Sequence, residues 1–151
     1  MRIGDVMDRR AARISQDASM ASAADILVLS RASDLMVVDE DGRYVGVVSE
    51  GDLLRAIMPD FEGLVESGAS LEEAFAIFRD AGRRYADQPV RRLVIRKSIT
   101  VAPDDELLRA ATVMVTKQIR RLPVVDGDRL VGTVSRADLC WGLLSESAAR
   151  V

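Results

Sequence analysis

Apolar and polar positions along this chain form a pattern that occurs twice. Leu35 to Val38 is an apolar run, a turn rich in Asp and Gly follows, and Tyr44 to Val48 is a second apolar run. Leu122 to Val125 and Leu130 to Val134 repeat this arrangement with one residue fewer in the turn. Two short runs rich in Val and Leu, split by Asp and Gly, predict a β-hairpin in each place. Each hairpin then runs into Ser-x-x-Asp, Ser49 with Asp52 and Ser135 with Asp138. A serine that can cap and an acid three residues on that can reach back predict a helix start. Upstream, Ser19 to Leu29 and Asp104 to Thr116 carry Ala, Leu, Val and Met at helical spacing, the second introduced by Pro103-Asp104. Ile99-Thr100-Val101 reads as a short strand ahead of it.

The match extends further. Ala23-Ala24 corresponds to Ala110-Ala111, and Ile3 to Met7 corresponds to Val90 to Val94. The expected fold class is therefore α+β: two tandem repeats, each strand-helix-strand-strand-helix, packed pseudo-symmetrically through the sheet faces their own helices leave bare. Such packing leaves two related clefts between the repeats, the usual place for a ligand. The expected boundaries are 1–58 for the first repeat, 59–89 for a helical inter-repeat segment, 90–145 for the second repeat and 146–151 for a tail. Within the inter-repeat segment, Ser70-Leu71-Glu72-Glu73 is a capping box. Leu71, Ala74, Phe75, Phe78, Ala81 and Tyr85 share one face of the helix that follows, which predicts a cover for the module's own apolar surface.

Composition narrows the chemistry. Apolar residues make up 48% of the 151 positions and aromatics only 4%, so the core is aliphatic. The net charge of −3 gives no global reason to expect nucleic acid, and the pairs Arg83-Arg84, Arg91-Arg92 and Arg96-Lys97 read as a solvated basic face. There is no histidine and one cysteine, Cys140, expected to be buried. Internal disulfides, histidine-based catalysis and the usual metal-ligand sets are thereby excluded, and no nucleophile-base pair points to an enzyme. The first residues lack the apolar run of a signal peptide, and no stretch approaches the ~20 apolar residues of a membrane helix, so a cytoplasmic protein is expected.

Gly46-Val47-Val48-Ser49-Glu50-Gly51-Asp52-Leu53 and Gly132-Thr133-Val134-Ser135-Arg136-Ala137-Asp138-Leu139 resemble the Gly-x-aliphatic-Ser/Thr-x-x-Asp-aliphatic signature of CBS (cystathionine β-synthase) domains. Ile99 to Asp104 and Leu122 to Asp126 resemble two further signature pieces. The resemblance covers most of the chain outside 59–88. It implies a stand-alone tandem pair, a Bateman module, that binds AMP, ADP, ATP or S-adenosylmethionine as a regulatory ligand. It also implies a homodimer and an unidentified regulated protein as partners, with no obligatory cofactor. By motif it assigns Ser49, Asp52, Ser135 and Asp138 to the ribose and phosphate. Thr100 matches the family's early Thr, with Ser15 as its counterpart two residues out of register.

The residues support this independently. A carboxylate can accept from both ribose hydroxyls, and a helix start directs unpaired N–H groups at an anion, although the same Ser and Asp also serve as caps. The backbone at Pro123-Val124 suits a flat purine. Arg120, Arg121 and Arg136 belong to the second repeat, where the first has Ser33, Asp34 and Glu50, so phosphate is expected in a cleft fed by the second repeat. The competing reading is an interaction module that ignores ligands and acts through dimerisation and the inter-repeat helix.

Overall fold

Each hairpin forms where the apolar runs place it. In the first repeat β1 (Arg13–Ser15), α2 (Met20–Ser30), β2 (Asp34–Val38), β3 (Tyr44–Ser49) and α3 (Glu50–Ile57) follow a short leading helix, α1 (Ile3–Val6). The inter-repeat segment holds α4 (Phe61–Glu66) and α5 (Leu71–Ala86). After a 3-10 turn at Val90–Arg92 come α6 (Leu107–Thr116), β4 (Arg121–Asp126), β5 (Arg129–Ser135) and α7 (Arg136–Ala148). This computed structural model describes residues 1–148. Part of the expected tail is thus the end of α7, and 149–151 lie outside the described residues.

Strand β1 pairs parallel with β2, which pairs antiparallel with β3, while β4 and β5 form an antiparallel pair. Both hairpins carry an irregularity at the same place, between Val37 and Val38 and between Val124 and Val125. The strand expected at Ile99–Val101 is reduced to one bridge, from Val101 to Val124. Side chains alternate across each sheet. Leu35, Val37 and Val48 sink into one core, and Leu122, Val124 and Val134 into a second. Each such side chain contributes about 1.5–3 kcal/mol as an upper estimate. The intervening Met36 and Pro123 point the other way, into the space between the repeats.

The two leading segments are exchanged. Ile3 and Met7 are buried in the core of the second repeat, and Val90 is buried in that of the first. Ile3 N–H donates to Asp105 O (2.9 Å), and Gly4 N–H to Pro103 O (2.8 Å). Val90 N–H likewise donates to Ala18 O (2.9 Å), and Arg91 N–H to Gln16 O (3.0 Å). Asp8 then exchanges both backbone bonds with Thr133 on β5, as Ile95 does with Val47 on β3. These crossings explain the glycine of the repeated motif. A Cβ at Gly132 would lie 2.6 Å from Asp8 O, and one at Gly46 would lie 2.6 Å from Val94 Cγ1 and collide with Ile95 O.

Between the repeats, α5 packs against α3 and α2 and buries Ala74 and Ala81, with Phe78 and Tyr85 half-buried. The expected stripe is therefore only partly covered: Leu71 and Phe75 at its N-terminal end are exposed, at 76% and 62%. Its capping box is intact, with Ser70 N–H donating to Glu73 Oε2 (2.7 Å), and that bond holds the Glu73 carboxyl below its usual range. Cys140, expected inside, is exposed on α7. No helix among the described residues is long and apolar enough to cross a membrane.

Candidate functional site

The two Ser-x-x-Asp motifs fold as reciprocal caps. Ser49 N–H and Oγ–H both donate to Asp52 Oδ2 (2.8 Å each), and Asp52 N–H donates back to Ser49 Oγ (3.1 Å). Ser135 and Asp138 repeat this at 2.7, 2.7 and 3.3 Å. The second carboxylate oxygen separates them. Asp52 Oδ1 takes Arg55 Nη2 at 2.6 Å, whereas Asp138 Oδ1 has no partner among the described residues. Asp138 is thus the freer acceptor for a diol.

The larger of the two clefts between the repeats encloses about 670 Å3. Its walls are apolar, from Met36, Val47, Ile95, Ile99, Leu122 and Pro123. Its polar rim carries Lys97, Lys117, Arg120 and Arg121 against Asp34 and Glu50, with Ser33, Ser49 and Ser98 between them. Lys97, Lys117 and Arg120 have no ion-pair partner among the described residues, so their charge is available to an anion. Ser98 shares a hydrogen bond with Tyr44 Oη, whose phenol burial pushes up.

The pseudo-symmetric cleft is smaller, about 440 Å3, and is lined by Arg10, Arg13, Arg31 and Arg121 against Asp8 and Asp34, with Thr133 and Ser30. The two linings match in charge: each has four cations and two carboxylates. The asymmetry expected from Arg120, Arg121 and Arg136 is therefore offset in space, because the exchanged leader runs on to Arg10 while β1 and the end of α2 bring Arg13 and Arg31 to the smaller cleft. Arg136 does not reach either cleft. Its Nε donates to Ile119 O (3.0 Å) and its Nη2 to Met114 O (2.9 Å), tying α7 to the end of α6, and it borders a shallow pocket with Arg120 and Gln118.

Strand register corrects one correspondence. Ile14 pairs with Val37 as Val101 pairs with Val124, so the residue matching Thr100 is Arg13. Ser15 stands two positions on, exposed, its Oγ accepting from Asp17 N–H (3.2 Å). Of the expected site residues, Ser49, Arg120, Arg121 and Pro123 line the larger cleft. Thr100, Val124, Ser135, Asp138, Asp52 and Ser15 line neither.

Sequence reasoning missed Lys97, Lys117, Arg10, Arg13 and Arg31, which become site residues only through the crossing and the loops after α2 and α6. It also missed a matched pair of strained residues. Arg31 (φ 56°) and Gln118 (φ 55°) hold left-handed backbone at equivalent helix ends, each at the mouth of a cleft. That conformation costs a non-glycine residue roughly 1–2 kcal/mol.

Comparison with known proteins adds a family match, two relatives and two solved structures. The CBS domain family profile matches residues 3–59 and 90–145. The uncharacterized protein MJ1426 of Methanocaldococcus jannaschii is 28% identical over 95% of this chain and 92% of its own length. A homoserine O-acetyltransferase of Methanohalophilus mahii is 27% identical over 88% of this chain, which spans only 22% of that enzyme. Among solved structures, the CBS-pair protein CBSX2 of Arabidopsis thaliana superposes with a TM-score of 0.77 at 26% identity, covering 97% of this chain and 96% of that one. CBSX2 has also been solved in complex with AMP, and that form matches with a TM-score of 0.73 over 97% and 98% of the two chains.

Proposed function

This chain belongs to the CBS domain family as a tandem pair, and from that premise we propose that it is a non-catalytic regulatory module whose inter-repeat cleft binds an adenine nucleotide. The observation that carries the reading is the larger cleft itself. Apolar walls at Met36, Ile95, Ile99 and Pro123 suit the faces of a purine, and the unpaired Lys97, Lys117 and Arg120 at its rim suit a phosphate. AMP in a similar CBS pair supports the choice of ligand. In this reading Ser49, which lines that cleft, takes a ribose hydroxyl once the ligand loosens its capping box.

The test is thermal unfolding with AMP, ADP, ATP and S-adenosylmethionine. A ligand at a hundred times its Kd adds about 2.7 kcal/mol of stability, and Arg120→Ala is expected to remove most of the shift for AMP. No shift with any of the four at millimolar concentration sinks the proposal.

A second reading rests on a different observation. Exposed apolar side chains repeat on the outer helices of both repeats: Val28 and Leu54 on one, Val115 and Trp141 on the other, at 52% to 74% exposure. We read this paired face as the place where a second copy docks, so that ligand binding and the dimer act on the same helices. Val115→Glu with Trp141→Glu is expected to turn a dimer into a monomer in light scattering. A wild-type protein that is monomeric at 100-fold dilution steps throughout would remove this reading and leave the cleft untouched.

A further inference from the structure

One position on each repeat is shared between the clefts. Asp34 opens β2 and Arg121 opens β4; the two are equivalent in the repeat, since Asp34 pairs with Ser49 and Arg121 with Ser135. Each lines both the larger and the smaller cleft. The two sites thus have one acid and one base in common, at the seam where the repeats meet. Arg121 is half-buried and anchored, its Nη1 donating to Thr133 Oγ1 at 2.8 Å, and Thr133 is only 1% exposed. Asp34 is half-buried and accepts from Ser33 Oγ at 3.1 Å. No ion pair joins Asp34 to Arg121 or to any other cation among the described residues, so neither charge is neutralised by the fold.

From this sharing, and resting on the reading of the clefts as nucleotide sites, we infer that the two clefts are negatively coupled for phosphate-bearing ligands, with Arg121 as the common element. The first anion to bind draws the guanidinium toward its own cleft. A guanidinium has several donors but a single charge, and its anchor on Thr133 limits how far it can serve both sides. The second anion meets an Arg121 already compensated and the first anion's charge across the seam. Both act against it, while Asp34 opposes the first and second anion alike. Coupling between sites is a free energy and is reciprocal, so whichever cleft fills first weakens the other by the same factor. A ligand without phosphate makes no claim on Arg121 and escapes the effect. Such a module responds to nucleotide over a wider concentration range than two independent sites do.

Calorimetric titration of the full chain with AMP is expected to give two stepwise dissociation constants about tenfold further apart than the statistical ratio. Arg121→Met keeps the apolar stem and is expected to weaken the first step and bring the ratio back toward the statistical one. Adenosine on the unaltered protein checks the same point without a substitution: its two steps are expected to stand close to that ratio. Two AMP steps at the statistical ratio in the unaltered protein overturn the inference while leaving the clefts as nucleotide sites. A wide ratio that persists in Arg121→Met or with adenosine also overturns it, because the difference is then intrinsic to the clefts. Absence of any AMP or adenosine binding overturns the nucleotide reading and the coupling with it.

Discussion

Gly132→Ala is expected to cost about 2–4 kcal/mol of stability, a fall of about 10 °C in melting temperature for a chain of this size. The added Cβ would sit 2.6 Å from Asp8 O and 3.3 Å from Asp8 C, which is backbone and cannot turn aside as a flexible side chain can. Relief requires the first leader to back away from β5. That lengthens the two bonds between Asp8 and Thr133, now 2.8 and 3.0 Å, and withdraws Met7 from the second core. Gly82→Ala provides the contrast. Nothing lies within 4 Å of a Cβ there, the residue is inside α5, and alanine is favoured over glycine in a helix by up to about 1 kcal/mol. Calorimetric unfolding of both variants checks the argument. A Gly132→Ala protein as stable as the unaltered chain would show that the crossing does not constrain this position.

Ile3→Ala is expected to cost about 2–5 kcal/mol, from lost burial and the cavity left behind. Its second consequence is where the loss appears. Ile3 is 0% exposed and belongs to the core of the second repeat, so amide exchange is expected to quicken first in β4 and β5, with β2 and β3 protected for longer. Val90→Ala, also at 0% exposure but in the other core, is expected to do the reverse at smaller cost. If Ile3→Ala loosens β2 and β3 first, the assignment of the leaders to opposite cores is wrong.

What was legible in the sequence is what depends on near neighbours. The hairpins, the helix starts at Ser49 and Ser135, and the capping box at Ser70 each need only a few adjacent residues, and each formed as expected. The correspondence of Ile3 to Met7 with Val90 to Val94 was legible, but a match between two segments does not say which core holds each. The exchange was therefore invisible, and with it the place of Arg10 at the smaller cleft. The Thr100 correspondence failed for a related reason: counting along the chain aligned it with Ser15 by residue type, and only strand pairing shows that Arg13 stands there. The exposed Phe75 and Cys140 are misreadings of another kind. Composition favours burial for both, but α5 extends past the helices it covers and α7 presents Cys140 outward.

The crossing of the leaders also bears on how the chain comes to be made. During synthesis the first repeat emerges with its own helices and strands yet without Val90, the 3-10 turn that seals its core, which leaves the ribosome only after the whole inter-repeat segment. The second repeat in turn has to reach back across the whole first repeat for Ile3 and Met7. Neither half can close alone, and the pairings that close them are among the most distant in the chain, which slows folding and makes it all-or-none. Two short crossed segments thus turn a pair of repeats into one object that is either finished or not.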